Sequence, residues 1–184
     1  MPGYRRILFA VDRSHHCRRA FQWFLQCMWR SGAKTNGSRM AEDEAEGEDA
    51  ITLIHVISPD LSTPVEEEVP VSMMEVNGGG GSEGVPRVME KAFTEGKAVC
   101  QVFLQLASEA GATRCNACIT VESHSAIGNA ILRSARIRGA DMIVMGSHGH
   151  KAIHRAVHLG SVSKYITRHS HIPVVVIPPQ ACPS

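Results

Sequence analysis

Ile143-Val-Met-Gly-Ser-His-Gly149, with Leu159-Gly-Ser-Val-Ser163 close behind it, decides how this chain is read. An apolar β-branched run stops at Gly146, a second glycine follows at Gly149, and Gly160-Ser161 opens a helical pattern. Glycines let backbone N–H groups approach an anion closely, and a helix N-terminus adds oriented donors with partial positive charge. Ser161 and Ser163 bring hydroxyls to the same place. The stretch therefore reads as a phosphate cradle at the carboxyl end of a parallel strand.

Working outward, strand and helix patterns alternate. Arg5 to Val11 is a short apolar run bounded by charge, which signals a buried strand. Ser14 stands as N-cap to a helix from Cys17 to Trp29, with Ala20, Phe21, Phe24, Leu25 and Met28 at helical spacing. Further strands are read at Ile51 to Ile57, Cys118 to Glu122, Asp141 to Met145 and Pro173 to Pro178. The intervening helices run from Val88 to Ala110, closed by Gly111, from Ala126 to Ile137, closed by Gly139, and from Gly160 to Thr167. Near-continuous apolar strands alternating with helices imply a five-stranded parallel doubly wound α/β sheet. Pro173 and Pro178 bracket the last strand, which suits an edge, and an apolar edge there favours pairing with a second copy.

Composition narrows the function. The 184 residues suit a single domain spanning 1–184, interrupted by flexible loops at 32–49 and 60–86. Formal net charge is +1, so no nucleic-acid footprint is implied. No run approaches the roughly 18 apolar residues of a membrane span. The chain opens Met1-Pro-Gly-Tyr-Arg-Arg and enters a strand at once, which sets the expectation of a cytoplasmic protein.

Other features look chemical but have plainer readings. Cys115-Asn-Ala-Cys118 is a CxxC without a second pair, read as a turn residue and an inward residue entering a strand. Gly78 to Gly81 follows no strand and reads as linker. His150, His154 and His158 recur at helical spacing near His148, as a metal face would, yet a basic flank shared with Lys151 and Arg155 fits better. His15-His16 reads as the surface start of the first helix.

In such folds ligands sit beyond the carboxyl ends of the strands, at the switch point. Asp12, Val56 with Ile57, and Gly146 onward land there: a carboxylate, an apolar wall and an anion cradle. A purine against the wall with phosphates in the cradle uses all three. Asp12 has three open roles: accepting from adenine or ribose, helping to hold a divalent ion, or capping the first helix.

These residues resemble the universal stress protein family. The resemblance covers roughly residues 4–58 and 87–178, through Ile7-Leu-Phe-Ala-Val-Asp12, Leu53-Ile-His-Val56, Gly139 to Gly149, Leu159 to Ser163 and Pro173 to Ile177. It implies a Rossmann-like, adenine nucleotide alpha hydrolase-like sandwich, a homodimer through Pro173 to Ile177 and, in one branch, bound ATP, with Mg a candidate companion. That branch carries Gly-x2-Gly-x9-Gly-Ser/Thr, which Gly146, Gly149, Gly160 and Ser161 resemble. Here ten residues, His150 to Leu159, separate the last two glycines, one more than the pattern. An outward bulge would keep the cradle, and an inward shift would close it. Carried over, the adenine and ribose contacts fall on Ala10, Val11, Asp12 and Val56. The phosphate contacts fall on Met145, Gly146, Gly149, Gly160, Ser161, Val162 and Ser163.

The chain shows no Gly-x4-Gly-Lys-Ser/Thr, no kinase motif set and no Gly-x-Ser-x-Gly elbow. The expectation is a stress-response regulator that binds ATP with little or no hydrolysis and has no assigned catalytic residue. Two alternatives stay open: a slow metal-dependent ATP hydrolase, and a nucleotide-free interaction module whose acidic loop (Glu42 to Asp49) and 66–86 loop dock partners.

Overall fold

The computed structural model of the chain describes residues 3–32, 47–58, 84–147 and 159–179. Gly149, the histidines at 148, 150, 154 and 158, and most of the two long loops lie outside the described residues.

Phe9 and its neighbours explain the first unit. β1 (Arg6–Ala10) is a short apolar strand, and α1 (His15–Cys27) follows after a tight corner. Ser14 caps α1 as its sequence position predicts, its Oγ accepting the Cys17 N–H at 3.0 Å. The inward stripe Cys17, Ala20, Phe21, Phe24 and Leu25 is buried. Phe21 meets Phe9 edge-on at 4.9 Å between ring centroids, and Phe103 meets Phe21 at 5.4 Å. Each such buried ring contributes roughly 1.5–3 kcal/mol of hydrophobic stabilisation.

The remaining elements are β2 (Ala50–Ile57), α2 (Gly84–Glu109), β3 (Cys115–Val121), a 3-10 turn (His124–Ala126), α3 (Ile127–Ile137), β4 (Met142–Gly146), α4 (Ser161–His169) and β5 (Val174–Ile177). All strand pairs are parallel, in the order β3-β2-β1-β4-β5. α1 and α2 pack on one face, over Ile7, Phe9, Val11, Ile51, Leu53 and Val144. α3 and α4 pack on the other, over Leu8, Ile54, Ile143 and Met145. The doubly wound five-stranded α/β sheet read from the pattern is the observed one, and β5 stands at its edge. Among the described residues no helix is long and apolar enough to cross a membrane.

Beyond shifts of one or two residues at element ends, the structure departs from the sequence reading in three places. α2 starts at Gly84 rather than Val88 because Pro86 falls in its first turn, where a missing N–H costs no helical hydrogen bond. β3 starts at Cys115 rather than Cys118, since β2 pairs with it from Ile51↔Cys115 onward. Cys115 is therefore a strand residue, not a turn residue. Side chains alternate along a strand, so Cys115 packs against the α1–α2 layer and Cys118 against the α3–α4 layer. The two thiols face opposite sides of the sheet and do not share a ligand.

The third difference is at the end of the acidic loop. Glu48 and Asp49 are buried frame residues, not loop. Glu48 accepts the N–H groups of Thr113 (2.7 Å) and Arg114 (3.1 Å), and Asp49 accepts those of Arg30 (2.9 Å) and Arg5 (3.2 Å). Burial alone would push the Asp49 carboxyl up, but its ion pair with the Arg5 guanidinium and these N–H donors hold it below the ordinary value.

Candidate functional site

Strand order creates a single switch point. From β1 the chain moves outward through β2 and β3, then returns across the opposite face to place β4 on the other side of β1. The crossovers leave β1 and β4 in opposite directions, which opens a crevice at their carboxyl ends. Ala10 aligns with Met145 on one side and with Ile54 on the other. Ala10 to Asp12, Val56, and Met145 to Ser147 thus share one end of the sheet.

α4 is brought to that end by its own first residues. The Gly160 N–H donates to the Ser147 carbonyl at 2.9 Å, and Ser163 Oγ donates to Ser147 O and Gly160 O, each at 3.0 Å. Gly160 is the N-cap, in extended conformation, and has no side chain of its own to cap the helix. The first turn of α4, Ser161 to Ser163, therefore begins beside the end of β4. Orphan N–H donors and the positive end of the helix dipole make this an anion-facing terminus.

The predicted residues divide into two groups. Ala10, Asp12, Val56, Gly146, Gly160, Ser161 and Val162 are at least partly open at this edge. Val11, Met145 and Ser163 are buried, at 5%, 4% and 3% exposure. Val11 spends its N–H on the Ile54 carbonyl at 2.9 Å, and Ser163 spends its hydroxyl proton on the backbone. Val11 packs into the α1–α2 layer and Met145 into the α3–α4 layer, so little of these side chains is left to meet a ligand. Asp12 Oδ1 accepts the Ser14 N–H at 2.7 Å, so the carboxylate braces the cap residue of α1 rather than capping the helix itself.

Two residues were missed from sequence. His55 Nδ1 meets the Val11 carbonyl at 2.9 Å, and the Cys17 thiol meets Ala10 O at 3.6 Å while accepting the Asp12 N–H at 3.3 Å. Burial pushes the Cys17 thiol well above its ordinary value, with Asp12 adding to the effect. His55 carried a signal: it is a polar residue at a position whose alternate neighbours, Leu53 and Ile57, are core. Among the described residues no three His, Cys, Asp or Glu side chains converge as a metal site.

A model of the Universal stress protein family matches residues 3–178. No curated protein matches the chain. Among solved structures, the universal stress protein UspA from Lactobacillus plantarum is similar, with 19% identity and TM-score 0.61 over 95% of this chain and 97% of that one. The universal stress protein from Archaeoglobus fulgidus, solved in complex with dAMP, shows 16% identity and TM-score 0.55 over 96% and 99%. A universal stress protein family protein from Arabidopsis thaliana, solved with AMP bound, shows 20% identity and TM-score 0.55 over 94% and 90%.

Proposed function

The chain belongs to the universal stress protein family, and on that premise we propose that it binds an adenine nucleotide, ATP first among them, as a cytoplasmic stress-response regulator. One observation carries the reading. The Gly160 N–H bond to Ser147 O sets a helix start with a glycine N-cap against the end of β4, at the switch point of the sheet. The nucleotides held by the Archaeoglobus and Arabidopsis proteins give the reading further support.

In this reading the base and ribose lie against Ala10, Asp12 and Val56, with the backbone of Val11 and Met145 beside them. The phosphates meet backbone donors of Gly146, Gly149, Gly160, Ser161 and Val162, while Ser163 holds the α4 turn in place. Mg would accompany the phosphates, and Asp12 is the carboxylate that would hold it. Hydrolysis is slow or absent, because in-line attack needs a positioned base and charge neutralisation. Asp12, which already braces Ser14, is the only acid this reading puts at the ligand. Residues 1–184 act as one domain, and a homodimer forms through Pro173 to Ile177, whose strand β5 is the sheet edge on that side.

The test is melting temperature with and without Mg-ATP, in the parent and in Gly160→Asp. Aspartate is a favoured N-cap, so the helix start keeps its fold while the carboxylate repels phosphate. A ligand at ~100 times its Kd stabilises by about 2.7 kcal/mol, which reads as a rise of several degrees. That rise in the parent, lost in the variant, supports the reading; no rise at saturating Mg-ATP overturns it.

A further inference from the structure

Three consecutive backbone units, Ala10, Val11 and Asp12, carry the β1 side of the crevice, and side chains from two other elements hold them. The Cys17 thiol, in the first turn of α1, donates to the Ala10 carbonyl and accepts the Asp12 N–H, bridging the residues on either side of Val11. His55, on β2, holds the Val11 carbonyl at 2.9 Å. A carbonyl only accepts, so His55 Nδ1 carries the proton in this bond. The Asp12 carboxylate and Ser14 close the circuit, since Ser14 binds both Asp12 Oδ1 and the Cys17 N–H.

Both holders are themselves fixed. Cys17 is 3% exposed, within the α1–α2 core. The His55 ring is backed by α2 at Gly96, where a Cβ would stand 3.2 Å from His55 Cδ2 and 3.0 Å from Ile57 Cδ1. A residue without a side chain at 96 lets α2 close onto the ring and limits its rotation.

We propose that His55 and Cys17 are positioning residues for the nucleotide site: without touching the ligand, they set the Ala10–Asp12 corner and so the direction in which the Asp12 carboxylate points. The proposal rests on the nucleotide-binding reading and deepens it. It assigns the selectivity for base and ribose to the corner and leaves phosphate recognition to the β4–α4 side. Loss of either holder weakens the nucleoside end of the ligand and spares the phosphate end.

Four variants of the full chain test this, each titrated with Mg-ATP and with inorganic triphosphate. Cys17→Val fills the thiol's space without its hydrogen bonds, and Cys17→Ser keeps a donor and an acceptor there. His55→Leu removes the donor, and His55→Asn places an amide N–H where Nδ1 stood. The expected result is a Kd for Mg-ATP about tenfold weaker in Cys17→Val and His55→Leu, the scale of one lost hydrogen bond. Triphosphate affinity stays at the parent value, and Cys17→Ser and His55→Asn stay close to the parent for both. A ligand-free readout accompanies it: the Asp12 amide loses hydrogen-exchange protection in Cys17→Val and keeps it in Cys17→Ser.

Parent-like Mg-ATP affinity in both Cys17→Val and His55→Leu overturns the proposal, as does an equal fall for triphosphate, which marks a global loss of structure. Should His55→Leu fail to fold, His55→Gln replaces it, since it keeps a donor but moves it outward by a methylene; the same tenfold loss is expected. A parent that binds no nucleotide refutes the functional reading instead, while the Asp12 amide still reports whether the corner is held.

Discussion

Gly128 on α3 lies against the ring of Tyr165 on α4, so closely that a Cβ at position 128 would stand 2.5 Å from Cδ1 and 3.1 Å from Cγ. The contact is with the root of the ring rather than a flexible tip, so the ring or its helix must shift to make room. The Tyr165 ring is also stacked on His169 at 4.2 Å, which limits its retreat. α4 is the helix whose start faces the crevice, and this contact helps determine where it rests.

Gly128→Ala is therefore expected to destabilise the fold by about 1–3 kcal/mol, the usual cost of overpacking. Adding Tyr165→Ala should recover part of that loss, because the second truncation removes the obstacle. Urea unfolding of the two single variants and the double variant measures the coupling. Simple additivity would mean that the helices separate without cost.

Asp49 makes stability depend on acid. Its carboxyl sits below the ordinary value, because the Arg5 ion pair and N–H donors outweigh burial. A lowered folded value means stability that is fully present above the unfolded value near 3.8 and is lost as pH falls through the folded one. Asp49→Asn leaves Arg5 without its partner and is expected to cost about 3 kcal/mol at pH 7, the lower end for a broken buried pair because Arg5 is a quarter exposed. Urea midpoints at pH 7 and pH 3 should show the gap between parent and variant narrowing in acid. A gap of constant size would remove the carboxylate from the account.

The cysteines should separate by reactivity. Cys27 is exposed, whereas Cys17 and Cys100 are buried and burial raises both thiols. Burial, with Glu48 nearby, pushes the Cys115 thiol up to about 12. The thiolate is the reactive form, so brief alkylation at pH 7.5 should mark Cys27 and leave Cys17, Cys100 and Cys115 unmodified until the protein is unfolded. Peptide mapping by mass spectrometry reads this directly. Equal labelling of Cys17 and Cys27 would contradict the packing of α1 on the sheet.

Two helix-ending glycines offer a controlled comparison. Gly111 has φ +85° with open space around its Cβ position, and Gly139 has φ +58° with Arg6 Nη1 only 2.6 Å from it. The obstacle at 139 is the tip of a long, half-exposed side chain that swings away cheaply. Alanine at either site is expected to cost about 1–2 kcal/mol, the strain of a left-handed residue with a side chain. Thermal unfolding of the two variants tests the near-equality. A much larger loss at 139 would mean that Arg6 is held rigidly by Asp141.

Much of the fold was legible because it is written locally. Ile7-Leu-Phe-Ala beside charge, the stripe Ala20, Phe21, Phe24, and glycines at 111 and 139 each declare a strand, a helix face or a helix end within a few residues. The α1 cap was equally plain, since Ser14 and Cys17 are neighbours in the chain. Gly146 and Gly160 marked the end of β4 and the start of α4 by the same local logic. Less visible was the use made of each group. Ser163 looks like a free hydroxyl beside a cradle, yet its proton goes to Ser147 and Gly160.

The sequence by itself determined the α/β alternation, the glycine-bounded end of β4 and the family to which they belong, because periodicity and turn chemistry act over short stretches. Tertiary structure decided the rest. It placed β4 beside β1 and brought His55 to Val11 from 44 residues away. It buried Glu48 and Asp49, which read as a solvated loop, by supplying Arg114 and Arg5 from distant segments. A polar side chain is committed by the donor or acceptor it meets, and where that partner lies far along the chain only the packed sheet brings the two together.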